Sequence, residues 1–99
     1  MIRHVVMWKL IAEDPAGQRA AVDAMAAALE PLAGKIEGLE SLIVRHDAGN
    51  ADVNWDVVLI SEHTSPEALL AYGTHPLHDG PAAIVKANTR ERACVDFEF

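Results

Sequence analysis

A single cysteine, Cys94, stands among 99 residues, so no internal disulfide can form and a reducing cytoplasm is the expected setting. Basic residues are scarce as well: eight Lys and Arg face fifteen Asp and Glu, for a formal net charge of −7. Such a field repels phosphate backbones and anionic lipid, which argues against nucleic acid and membrane surfaces as partners. No apolar run approaches the about 20 residues that a membrane-spanning helix needs. Met1-Ile2-Arg3-His4 leads into a strand-like pattern rather than a signal peptide. There is no Gly-rich phosphate loop, no Cys-x-x-Cys and no His-Glu-x-x-His, so neither a nucleotide cofactor nor a structural zinc is expected. Low-complexity segments and internal repeats are missing too, which excludes a disordered chain or a solenoid.

What remains is ordinary globular composition, 51% hydrophobic and 23% charged, in one domain spanning residues 1–99. Size scaling gives it a radius of gyration of about 13 Å. Ile2 to about Leu10 is rich in β-branched and aromatic residues and reads as a first strand. Asp14-Pro15 then opens a helix, Asp14 as N-cap and Pro15 in the first turn, where its missing N–H is not needed. Val22, Met25, Leu29, Leu32 and Ile36 form one apolar stripe, and Pro31 should end or kink the helix near Glu30. Strands fit Leu39–Asp47 and Val53–His63, with a turn-like Ala48-Gly49-Asn50-Ala51-Asp52 between them. Ser65-Pro66 repeats the capping logic for a shorter helix through Tyr72, with Gly73 as its stop. A further turn or two of helix follows Pro81, and a last strand covers Ala93–Phe99. The order βαββαβ predicts a ferredoxin-like α+β domain with an antiparallel sheet.

Two helices cover only one face of such a sheet, yet both faces here carry apolar residues. Val6 and Trp8 back onto Val5 and Met7; Val57 and Leu59 back onto Val58 and Ile60. The simplest second cover is another copy of the same sheet, so the sequence predicts a homodimer.

Chemistry concentrates in Tyr72-Gly73-Thr74-His75-Pro76-Leu77-His78, which puts a phenol and two imidazoles within seven residues. His78 is suited to act as a base near neutral pH, and Tyr72 stays a neutral donor able to steady an oxyanion. The structural alternatives are a helix-capping histidine and an amphipathic core tyrosine. His75 and His78, three apart, also raise a metal reading, but a site needs three or four ligands; Asp79 and Glu62 offer oxygens, yet nothing in the spacing demands them, so no metal is expected. His4 is embedded beside Val6 and Trp8 and must either be hydrogen-bonded or face a cavity. His46 and His63, near strand ends, read as exposed polar residues. Trp55 reads as packing, Asp56 as a cap or a partner of Arg45 across the hairpin, and Cys94 as an unreactive thiol. Arg90, Glu91 and Arg92 read as a solvated edge. Tyr72 and His78 are thus the candidate catalytic pair, and His4, Trp8 and His75 the candidate ligand-binding residues.

Ile2-Arg3-His4-Val5-Val6-Met7-Trp8-Lys9, Trp55-Asp56-Val57-Val58-Leu59, Tyr72 with His75-Pro76-Leu77-His78, and Val95-Asp96-Phe97 together resemble the stress-responsive dimeric α/β-barrel (Dabb) family. The resemblance covers nearly the whole chain. It implies two ferredoxin-like sheets joined into a barrel, with a cavity in each protomer. One plant polyketide cyclase of that family uses a Tyr and a His of this region as its acid–base pair, which carries those roles onto Tyr72 and His78, with His4 as a further cavity residue. This chain has Val57 where the plant sequence carries another pocket histidine. Three readings stay open: an acid–base enzyme (cyclase, isomerase or cofactor-free oxygenase) acting on a small apolar or aromatic ligand, a stress-linked binding protein without turnover, and a structural dimer whose cavity is filled by Trp8 and Met7.

Overall fold

A computed structural model describes all of residues 1–99 and has a radius of gyration of 13.3 Å, close to the size-scaling value. The strands are β1 (Ile2–Leu10), β2 (Leu39–His46), β3 (Val57–His63) and β4 (Thr89–Glu98). The helices are α1 (Pro15–Leu29), α2 (Pro66–Thr74) and α3 (Pro76–Asn88), with a 3-10 turn at Glu30–Leu32. The four strands form one antiparallel sheet in the order β2-β3-β1-β4, the ferredoxin-like arrangement. No helix is long and apolar enough to cross a membrane.

The caps work as the sequence expects. Asp14 accepts from the Gly17 amide at 2.9 Å and Ser65 from the Ala68 amide at 3.1 Å. Pro31 limits α1, and the chain continues for one 3-10 turn that ends at Ala33, followed by Gly34 at φ +87°; Gly38, at φ +85°, then leads into β2. One face of the sheet is packed by the helices. Val6, Trp8, Leu10, Leu42, Val44, Val57 and Leu59 from the strands meet Ala21, Val22, Met25 and Leu29 of α1 in a single core.

Several expectations shift. β3 begins at Val57, not Val53; Val53 is 88% exposed, and the loop is instead closed by Asp47, whose carboxylate accepts from Gly49 and Asn54. Asp56 does not pair with Arg45. Its carboxylate accepts from the Leu10 amide at 2.8 Å, while Arg45 pairs with Glu30 at 2.8 Å. Gly73 does not stop α2, which runs on to Thr74 with no left-handed residue; Pro76 is what stops it, by barring helical backbone at His75. The helix after it is also longer than expected, starting at Pro76 and passing through Pro81. Pro81 forfeits one backbone bond, and the packing of α3 against α1 keeps the helix continuous across it. β4 starts at Thr89, four residues early, because charged Arg90, Glu91 and Arg92 suit an edge strand as well as a loop.

The second face is open. Ile43, Ile60, Val5 and Val95 stand side by side across all four strands, flanked by Met7 and Val58. Val95 is 66% and Met7 40% exposed, and nothing in the protomer covers them.

Candidate functional site

The break between α2 and α3 builds the site. His75 is extended, and its Nδ1 accepts from the Leu77 amide at 3.0 Å, so it caps α3 while Pro76 occupies the first helical position. That fold-back brings Tyr72, in the last turn of α2, against His78, in the first turn of α3. Their ring centroids are 4.6 Å apart, edge to face.

Strand register supplies the rest. His4 on β1 lies opposite Ser61 on β3 and Asp96 on β4, while Ile2 lies opposite His63. Antiparallel partners share a face, so all of these point toward the helices. The outcome is a row of rings: His4 to His63 at 6.1 Å, His63 to Tyr72 at 5.1 Å, and Tyr72 to His78 at 4.6 Å. Asp96 closes one end of the row through its contact with His4 Nδ1.

A pocket of about 790 Å³ lies between this part of the sheet and α2 and α3. Ile2, Val6, Leu29, Leu59 and Leu69 give it apolar walls, and His4, Tyr72, His78 and Asp96 bring the polar groups. Of the candidate site residues, His4, Trp8, Tyr72 and His78 line it together, and Arg90, Glu91 and Arg92, read from sequence as a solvated edge, line it as well. His75 does not; it holds the turn from outside the lining. Met7 is on the open sheet face, so the pocket is not filled by Trp8 and Met7.

Burial pushes the Tyr72 phenol up to about 12, which keeps it protonated through the physiological range. Its hydroxyl has no hydrogen-bond partner within the protein and is not among the sealed-off polar atoms. Burial also pulls the His78 imidazole below its ordinary value, against the opposing pull of Asp79 and the Gly73 carbonyl, and so favours its neutral form. His63 is lowered likewise, by burial and then by the positive charge His4 can carry. For Asp96, burial works upward, but the hydrogen bond and charge of His4 outweigh it and leave the carboxyl below its usual range.

His63 was misread as exposed. It is fully buried, its Nε2 is 2.8 Å from the Ser61 hydroxyl, and its Nδ1 has no partner. The residue faces inward because it shares parity with Val57, Leu59 and Ser61 on β3. His46, half-buried, bonds Gln18 at 2.9 Å. Asp96 was not singled out for this role either; it becomes a site residue only through the pairing of β1 with β4.

One cluster offers metal-ligand atoms: His4 Nδ1, Cys94 Sγ and Asp96 Oδ1 lie within 4.8 Å of one another. The geometry has another explanation, since His4 and Asp96 are hydrogen-bonded to each other. Burial and the adjacent Asp96 raise the Cys94 thiol, which disfavours the thiolate a metal would need.

The family model for the stress responsive A/B barrel domain (Dabb) matches residues 2–99. A dimeric protein of unknown function with a ferredoxin-like fold from Bacteroides fragilis is similar at 28% identity and a TM-score of 0.86, covering 99% of this chain and 95% of that one. A dimeric ferredoxin-like protein from Thermobifida fusca follows at 24% identity and 0.79, covering 99% and 90%. SnoaB of Streptomyces nogalater, a cofactor-independent oxygenase, shares the fold at 15% identity and 0.70, covering 99% and 91%. No curated protein matches the sequence.

Proposed function

The chain belongs to the stress-responsive A/B barrel domain (Dabb) family, and on that premise we propose that it is a cytoplasmic homodimer in which each protomer holds a small apolar or aromatic ligand and moves a proton on it. The observation that carries this reading is the Tyr72–His78 pair, rings 4.6 Å apart on the wall of an open pocket, with the Tyr72 hydroxyl unclaimed by the protein. Homodimerisation is supported by the uncovered Ile43-Ile60-Val5-Val95 row and by relatives described as dimeric. Paired face to face, two such sheets form the dimeric α/β barrel.

Neutral His78 is the base and protonated Tyr72 the donor, which are the states that burial favours for each. His78 takes a proton from a carbon beside a carbonyl; the electron pair moves into the carbonyl, and the resulting oxyanion accepts a hydrogen bond from the Tyr72 hydroxyl. His4, fixed by Asp96, sits on the same wall and orients the ligand. The carbanion then adds to a second carbonyl of the same molecule, as in an aldol cyclisation, and His78 returns its proton. A second fate, open because a cofactor-independent oxygenase has the same fold, is addition of the same carbanion to dioxygen, forming a C–O bond and a peroxide anion that takes the proton back from His78.

The test is hydrogen exchange at the α-carbon of 2-tetralone in deuterated buffer, followed by NMR. Saturable exchange above the buffer rate is expected. His78→Ala should abolish it, and Tyr72→Phe should lower it by about 10²- to 10³-fold, the usual effect of removing one oxyanion donor. Exchange that survives His78→Ala, or a loss that merely follows a fall in melting temperature, argues instead for a structural His78. Oxygen uptake measured alongside distinguishes the two fates.

A further inference from the structure

The eight basic residues are spread thinly over a chain of net charge −7, yet three of them, Lys86, Arg90 and Arg92, line this one pocket. Glu91 and Asp96 are its only carboxylates, so the lining is net positive in an acidic protein. The pairing within the lining matters more than the count. Asp96 is held by His4, and Glu91 is taken by Lys9 at 3.2 Å and Arg90 at 3.4 Å. Arg90 also donates to the Leu10 carbonyl at 3.2 Å. Lys86 and Arg92 have no carboxylate within ion-pair distance, although the Arg92 guanidinium acts on the neighbouring Cys94 thiol and, through its charge, on Asp96.

Each of these two has an ordinary use elsewhere in the fold. Lys86 complements the C-terminal end of α3, and Arg92 is a charge on an edge strand. Neither use requires both to line the same cavity. Register does explain Arg92: it lies opposite Trp8 on β1 and so faces the helices. Both cations are exposed, while Ile2, Val6, Leu29 and Leu59 of the same lining are buried. A pocket whose apolar lining is buried and whose two cations, neither in an ion pair, are exposed fits an amphiphilic anion: the body desolvates against the apolar lining, and the charged end meets a guanidinium and an ammonium while it stays partly hydrated.

We propose that the ligand is an organic acid, an aromatic or acyl body carrying a carboxylate, whose anionic end is bound by Lys86 and Arg92 while its body lies beside Tyr72 and His78. This rests on the reading that the pocket binds a small molecule. It adds the ligand's charge and its direction of entry. The carboxylate stays at the rim, and the reacting carbon is carried in to the Tyr72–His78 pair.

Two fluorescent probes with the same aromatic body test it: 8-anilinonaphthalene-1-sulfonate and its uncharged counterpart N-phenyl-1-naphthylamine. A pocket-blocking variant locates their binding. Pro66, Leu69, Leu70 and Gly73 recur at three- and four-residue spacing on the lining face of α2, and a Cβ at Gly73 meets nothing within 4 Å, so Gly73→Phe is the variant chosen to put a ring into the chamber, its fold checked by its melting temperature. Wild type should bind the sulfonate at least about tenfold more tightly than the neutral probe at low salt, with the preference shrinking as salt rises. In Lys86→Gln/Arg92→Gln the ratio should collapse toward one, and Gly73→Phe should weaken both probes. Equal affinities in wild type, with both probes still blocked by Gly73→Phe, would overturn the anionic assignment and leave the pocket reading standing. A preference that persists in the double variant would overturn it too. Binding of both probes that ignores Gly73→Phe would sink the pocket reading itself, and this inference with it.

Discussion

His63 is the residue whose behaviour follows most directly from the geometry. It is fully enclosed, bonded through Nε2 to Ser61 and unpartnered at Nδ1, with His4 and Tyr72 on either side. Burial and then the His4 charge depress its proton affinity in the fold. In the unfolded chain the same imidazole titrates near about 6.5. Above that pH both states are neutral and the group contributes no pH dependence. Below it the unfolded chain takes up a proton that the fold refuses, so stability falls as pH drops from about 6.5 toward the depressed folded value. One such histidine gives a slope of at most about 1.4 kcal/mol per pH unit, or about 1.4 kcal/mol in all between pH 7.5 and 5.5. For a chain of this size that is roughly 6–11 °C of melting temperature. His63→Gln keeps a polar partner for Ser61 and cannot titrate. Urea unfolding followed by tryptophan fluorescence, at one protein concentration because a dimer's stability depends on it, should show the acid-side loss reduced by up to that amount. At pH 8 the variant should lie within about 1 kcal/mol of wild type, the size of one hydrogen bond. His78, lowered in the same sense, leaves a residual slope in the variant. An unchanged pH dependence in His63→Gln would mean that His63 is not the group whose protonation opposes folding.

The open sheet face gives a second expectation. Ile60→Glu places a charge in the middle of the Ile43-Ile60-Val5-Val95 row, and light scattering at micromolar concentration should shift from twice the 10.7 kDa chain mass to the monomer. A wild type already monomeric at that concentration would remove the dimer. Gly38→Ala combines a φ of +85° with a Cβ only 2.6 Å from Ala68, and should lose more than about 1 kcal/mol in thermal or urea unfolding. Gly34 is a matched control. Its φ is +87° but its Cβ site is empty, so Gly34→Ala should lose less than Gly38→Ala.

Much of the fold was legible because its signals are local. Asp14-Pro15 and Ser65-Pro66 cap their helices whatever surrounds them, and the alternation in β1 assigned Val6 and Trp8 to one face and Val5 and Met7 to the other before any partner strand was known. Errors came where one residue type serves two structures. Arg90, Glu91 and Arg92 suit a loop and an edge strand equally, and Pro81 breaks most helices but is carried here inside α3. The Tyr72–His78 pair was readable from its proton chemistry and the family resemblance, whereas the fold-back at Pro76 that brings the two rings together appears only in the structure. Asp96 was not, because it joins the site only through a register with β1 that local pattern does not encode. His63 lay within reach: with β3 assigned, its parity with Val57 and Leu59 already turned it inward, but its place at a strand end suggested exposure. Lys86 and Arg92 are anonymous surface charges until α3 and β4 converge on one rim.

If the Tyr72–His78 pocket takes a small-molecule anion, its side chains must respond when one is added. An NMR titration with 1-naphthoate tests it most directly, reading the histidine ring signals, the two indole signals and the valine and methionine methyls at once. Saturable shifts of His4, His78 and the Trp8 indole are expected, with the Trp55 indole, Met7 and Val95 unmoved. Shifts confined to Met7, Val58 and Val95, on the open sheet face, with His4 and His78 silent, would contradict it.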